Sequence, residues 1–149
     1  MRQHDVETQF GALTVTEEDG AIVRLSWGMS GCADRSDTLD AAVAQLRAYD
    51  SGDLEAFDLP LRVRGSQLQR DVCEAMSAIP FGATITYGDI AKVLGVPAQA
   101  VGQACGGNPI PIIIPCHRVM GAKGLTGFSG AGGVETKVAL LRHEGGFLI

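Results

Sequence analysis

The sequence predicts an α+β protein: a small α/β unit over residues 1–63, then a mainly helical unit over residues 64–149 that contains a helix-turn-helix. Three observations carry this. The first sixty residues hold two segments of partly alternating apolar and polar residues, followed by one stripe at helical spacing. From Ser66 onward, apolar residues recur at helical spacing in short segments that Gly or Pro closes. Charge divides at the same place. Residues 1–59 carry 4 Lys/Arg against 12 Asp/Glu, a balance of −8; residues 60–149 carry 8 against 5, a balance of +3.

In the first unit, Phe10–Thr16 and Ala21–Trp27 are read as strands of a hairpin, with the turn over Glu17–Gly20. Gly28–Ser36 is loop. Leu39, Ala42, Val43, Leu46 and Tyr49 have helical spacing, with Ser36 or Asp37 as N-cap. A third strand is expected within Phe57–Val63. In the second unit, Ser66 with Gln69 reads as a capping box, and Leu68, Val72, Met76 and Ile79 form one apolar stripe that Pro80-Phe81-Gly82 ends. Thr86 with Asp89 opens a helix that stops at Gly95. Pro97 opens the next as its first residue, ending at Gly106-Gly107. These two short helices form the helix-turn-helix. A last helix over residues 135–143 should turn Val138 and Leu141 inward.

Composition excludes several classes. The longest apolar run, Ile110–Pro115, is far short of the ~20 residues of a membrane-spanning helix. Met1-Arg2-Gln3-His4-Asp5 has no apolar segment behind it, so no secretory signal is expected. Cys32, Cys73, Cys105 and Cys116 form no CxxC pair and no zinc-like spacing. That argues against disulfides and a metal site and fits a reducing cytoplasm. The net charge of −5 argues against nucleic acid as a partner, but the split leaves the C-terminal part mildly basic, as a polyanion partner would ask.

The most informative stretch is Asn108-Pro109-Ile110-Pro111-Ile112-Ile113-Ile114-Pro115-Cys116-His117-Arg118-Val119. The aliphatic run reads as a short buried strand that Pro115 ends, because proline cannot donate to a ladder. Cys116 then sits where the chain leaves the sheet, beside a base and a positive charge, which is what thiolate formation needs. A cysteine in such a run is more often a small core hydrophobe, and adjacent side chains on extended backbone point apart. The bracketing prolines, the upstream Asn108 and the glycine-rich segment Gly121–Gly133 weigh against the plain reading.

Over residues 66–145 the chain resembles the catalytic domain of the O6-alkylguanine-DNA alkyltransferases. The matching pieces run in order: Ile79-Pro80-Phe81-Gly82, Thr86-Tyr87-Gly88-Asp89-Ile90-Ala91, Ala100-Val101-Gly102, Gly107-Asn108-Pro109, Pro115-Cys116-His117-Arg118-Val119, Gly127-Phe128-Ser129-Gly130 and Leu140-Leu141-Arg142-His143-Glu144-Gly145. Residues 1–60 resemble that family's ribonuclease H-like N-terminal domain in outline.

The resemblance implies DNA repair by irreversible transfer of an alkyl group from O6-alkylguanine, and from O4-alkylthymine, to Cys116, with no cofactor and no metal. It implies His117 as the base, Glu144 as its orienter and Asn108 as the group that ties the cysteine turn to the helix-turn-helix. Tyr87, Phe128, Ser129, Gly130 and Val119 would hold the flipped base. Thr86, Ala98, Gln99, Ala100 and Arg118 would meet DNA. The partner implied is double-stranded DNA, met in the minor groove with little sequence preference by a monomer with no membrane association. The small face Ala98, Ala100, Gly102, Ala104 suits such close approach, although it would equally suit tight packing on a neighbouring helix. One position departs from the family: Gln99 stands where an arginine usually fills the gap left by the flipped base. Two other readings remain at this point, a lesion-binding protein without transfer and a cysteine hydrolase using Cys116 and His117.

Overall fold

The computed structural model describes residues 1–121 and 133–145, which form two compact units, Met1–Arg62 and Val63–Ile149. In the first, three antiparallel strands lie in the order β1 (Arg2–Thr8), β2 (Gly11–Glu18), β3 (Ala21–Trp27). β2 and β3 join through Asp19 and Gly20, both at positive φ, the two-residue turn that suits strand twist. Sequence reading missed β1. It is an edge strand of mostly polar residues in which Val6 alone is buried, so it lacks the apolar alternation that marks a strand.

The strand expected within residues 57–63 is not formed. One bridge, Ile22 to Leu61, stands in its place, and Pro60 offers only its carbonyl, to Ile22 N. Helix α1 (Asp37–Ser51) starts on Ser36, whose hydroxyl accepts from Leu39 N, and ends at Gly52 in the left-handed region. Its buried Leu39, Ala42, Val43, Leu46 and Tyr49 are the expected stripe. With Val6, Leu13, Val15, Ile22 and Leu25 of the sheet they make this unit's core.

The second unit holds α2 (Gln67–Ser77), β4 (Ile85–Thr86), α3 (Tyr87–Leu94), α4 (Ala98–Gly106), a 3-10 turn over Cys116–Arg118, β5 (Val119–Met120) and α5 (Val134–His143). β4 and β5 pair in parallel. Ser66 caps α2, but the expected box is half-made: the Gln69 amide donates to Ala104 O instead of returning. On the predicted stripe, Val72, Met76 and Ile79 are buried and Leu68 is only half-buried. At α3 the box is complete between Thr86 and Asp89. Gly95 closes α3 at positive φ, and Pro97 caps α4 from outside instead of opening it.

Residues 110–114 are not a strand. They coil through tight turns, Ile113 N to Pro111 O and Ile114 N to Ile110 O, with all three isoleucines of Ile112–Ile114 buried. Prolines at 109, 111 and 115 remove the donors a ladder needs, and Ile112 sits at φ 72°, a strained conformation for a β-branched residue. In α5 the buried positions are Lys137, Leu140 and Leu141; Val138 is only half-buried. Among the described residues no helix is long and apolar enough to cross a membrane.

Candidate active site

The coil of residues 108–115 delivers Cys116 to the start of the 3-10 turn. Asn108 shapes that coil. Its amide donates to Ile114 O at 2.8 Å and its Oδ1 accepts from Ile110 N at 3.0 Å, so one side chain closes the loop from the end of α4 to the cysteine turn. Cys116 is 5 % exposed, and burial pushes its thiol up to about 11. A hydrogen bond from Asn108 and the charge of Lys137 act the other way. Cys105 is as exposed as Cys116 but goes up to about 12, with burial the largest cause and Lys137 the one opposing influence. The surroundings of Cys116 therefore favour its thiolate relative to that of Cys105.

His117 is fully buried. Its Nε2 lies 2.7 Å from Glu144 Oε2. Burial lowers its pKa, helped by the charges of Arg118 and Lys137 and opposed by the hydrogen bond and charge of Glu144. A neutral ring facing a carboxylate carries its proton on Nε2 and donates it there, an assignment made from the hydrogen-bond network. Nδ1 is then a bare acceptor. It is buried and has no hydrogen-bond partner among the described residues.

Glu144 caps α5 and is held from a second side. Arg118 Nε donates to Oε1 at 2.7 Å and its second terminal nitrogen to Oε2 at 2.9 Å; the remaining nitrogen donates to Ile79 O at 2.7 Å. The guanidinium also lies 5.8 Å from the centre of the Phe81 ring. Arg118 is thus buried and committed to Glu144, not placed outward toward DNA as the resemblance implied. The Ile79-Pro80-Phe81-Gly82 turn clasps this pair: a Cβ on Gly82 would stand 3.4 Å from Glu144 O, and φ 83° there suits glycine.

Sequence reading missed Lys137. It is completely buried, its Nζ donating to Val119 O at 2.6 Å and standing 6.0 Å from the centre of the Tyr87 ring. Burial lowers its pKa, while Cys116 and Cys105 act to hold its charge. The signal was present, since Lys137, Leu140, Leu141 and Glu144 share one helical face. Assigning Val138 to the core set the stripe one residue off.

The other expected residues divide. Tyr87 opens α3 and is half-buried, and Val119 is buried behind the cysteine. Thr86 spends its hydroxyl on the cap of α3. Ala98 and Gln99 are exposed on the first turn of α4, Ala100 is half-buried, and Ala104, expected outward, is buried. Phe128, Ser129 and Gly130 lie outside the described residues.

Residues 67–146 match the model of the 6-O-methylguanine DNA methyltransferase, DNA binding domain, and residues 1–63 that of the same family's ribonuclease-like domain. The chain belongs to this family. A methylated-DNA–protein-cysteine methyltransferase of Mycolicibacterium paratuberculosis is 42 % identical over 149 residues, which is 93 % of this chain and 89 % of that protein. A constitutive enzyme of the same name from Bacillus subtilis is 38 % identical over 93 % of this chain and 92 % of its own. The Mycobacterium tuberculosis OGT solved in complex with DNA superposes with a TM-score of 0.86 at 39 % identity, over 97 % of this chain and 93 % of that one.

Proposed function

We propose that the protein repairs DNA by accepting an alkyl group from O6-alkylguanine onto Sγ of Cys116, once and irreversibly. The observation that carries this reading is the buried file Cys116, His117, Glu144, in which the imidazole is neutral, oriented by a carboxylate and bare at Nδ1. Nδ1 takes the thiol proton, directly or through one water. Sγ then attacks the alkyl carbon in line, the C–O6 bond breaks, and its electron pair stays with the guanine. Tyr87 supplies a proton to the departing base, and Lys137 favours the thiolate as it forms. The product is a thioether, which offers no leaving group for hydrolysis, so each molecule reacts once.

A single-turnover pH profile on free O6-benzylguanine tests the relay. His117 has its pKa lowered from 6.5, so the wild-type rate should be flat above that pH. Without the base, the rate must follow the thiolate population alone. His117→Ala should therefore climb roughly tenfold per pH unit toward the thiol pKa of about 11. Parallel profiles for the two proteins would remove His117 from the proton path.

We place duplex DNA against α4, approached from the minor groove by a monomer and bound through phosphates and groove shape with little base reading. A Cβ on Gly102 would meet nothing within 4 Å, so the glycine is not demanded by contacts inside the protein. Gly102→Ala should raise the melting temperature, since glycine inside a helix costs roughly 0.5–1 kcal/mol, and should weaken duplex binding. Gln99→Arg, exposed on the same helix, should speed transfer from duplex at saturating protein and leave free O6-benzylguanine unaffected. Unchanged duplex affinity in the first variant and an unchanged duplex rate in the second would move the interface off α4.

A further inference from the structure

Gln69 does not behave as its place in the first turn of α2 suggests. A glutamine three residues after a capping serine would return its side chain to the backbone N–H of that serine. Gln69 reaches across to α4 instead, where its Nε2 donates to Ala104 O at 2.8 Å. The side chain is half-buried, and its Oε1 lies so close to Gly107 that a Cβ there would stand 3.1 Å from it. Nε2 also stands 3.5 Å from Cys73 Sγ.

The point it reaches is where α4 becomes the path to the cysteine. The last carbonyls of a helix have no partner within the helix. Here Ala104 O accepts from Gly107 N at 3.2 Å as well as from Gln69, and Cys105 O accepts from Asn108 N at 3.2 Å. The Asn108 side chain then engages Ile110 N and Ile114 O, and Ile114 O also accepts from Cys116 N at 2.8 Å. A series of hydrogen bonds, joined by the Gly107–Asn108 peptide, therefore runs from Gln69 to the backbone of Cys116.

Apolar packing alone would hold the two helices together without fixing that point. Val72 and Met76 of α2 and Val101 and Cys105 of α4 are buried, with Met76 Sδ 3.5 Å from Cys105 Sγ. Such contacts are non-directional, whereas a hydrogen bond from one amide to one carbonyl is directional. A small axial shift of α4 would be felt at Asn108, whose side chain also meets the Cys116 thiol. We propose that Gln69 is a positioning residue for alkyl transfer: it fixes the end of α4, and through it the Asn108 side chain, against Cys116. The proposal rests on the reading of Cys116 as the alkyl acceptor.

Gln69→Met tests it, since methionine keeps the length of the side chain and removes the donor. Two rates are measured across pH: alkylation of Cys116 by iodoacetamide, read by peptide mapping, and single-turnover transfer from free O6-benzylguanine. The Asn108 bond favours the thiolate, so loosening it should move the iodoacetamide profile to higher pH. Below the thiol pKa both reactions should slow by about three- to tenfold. Val72→Ala is the control. It opens a cavity under the same helix and should lower the melting temperature at least as much, with both profiles near wild type. Iodoacetamide reads Cys116 whatever its natural substrate. Wild-type protein inert to O6-benzylguanine would thus remove the repair reading, and the iodoacetamide profiles would still decide the role of Gln69. A wild-type iodoacetamide profile in Gln69→Met, or equal slowing in Val72→Ala, would show that Gln69 only closes a helix end and would overturn the proposal.

Discussion

Glu144→Ala is expected to cost about 3–5 kcal/mol of stability and to slow alkyl transfer on the order of 10²–10⁴-fold. The two losses have different origins. Glu144 is the one carboxylate that both the buried Arg118 and the buried His117 engage. Removing it leaves a guanidinium in the core with Ile79 O and the Phe81 ring, and that uncompensated charge is what destabilises. Removing it also frees the imidazole to turn, and that is what slows transfer.

His117→Ala separates the two effects. It keeps the Arg118–Glu144 pair, so it should lose transfer to a similar degree and far less stability. Combining His117→Ala with Glu144→Ala should slow transfer little beyond either alone, since one unit is broken once. Arg118→Met with Glu144→Leu should recover stability and not transfer, because a buried pair can be exchanged for apolar volume. Urea denaturation and single-turnover kinetics on the same preparations read both. Equal stability in Glu144→Ala and His117→Ala, or multiplicative rate losses, would contradict this division of labour.

Lys137→Met should slow transfer on the order of 10²–10³-fold, the usual cost of losing one preorganised charge at a reacting centre. Lys137 is fully buried and its charge acts to lower the thiol pKa of Cys116. Without it, that pKa must rise above about 11, and the thiolate becomes rarer at every lower pH. Methionine occupies similar volume and removes a desolvated charge, so stability should hold or increase. Free O6-benzylguanine is the right substrate for the measurement, since it excludes effects on nucleotide flipping. A wild-type rate in Lys137→Met would show that the lysine serves the fold alone.

Much of this was legible in the sequence where a signal is local. Caps and glycines announced α1, α3 and α4, and the resemblance brought Cys116, His117 and Glu144 together across 27 intervening steps of chain. The misses share a cause: partners distant in sequence override the local pattern. Ile110–Ile114 has strand composition, but three prolines and the Asn108 amide coil it. Arg118 beside the cysteine reads as a residue that would meet DNA until Glu144 arrives at the end of α5 to pair with it. Lys137 in an apolar stripe reads as a boundary residue, because a buried lysine makes sense only once Val119 O and Cys116 are placed against it.

The most direct measurement is intact-protein mass, followed by peptide mapping, after reaction with excess duplex carrying a single O6-methylguanine. The account predicts one methyl group per molecule, on Cys116, with one equivalent of duplex repaired and no mass change in Cys116→Ser. Methyl on Cys32, Cys73 or Cys105, transfer by the Cys116→Ser protein, or repair of several equivalents per molecule would contradict it.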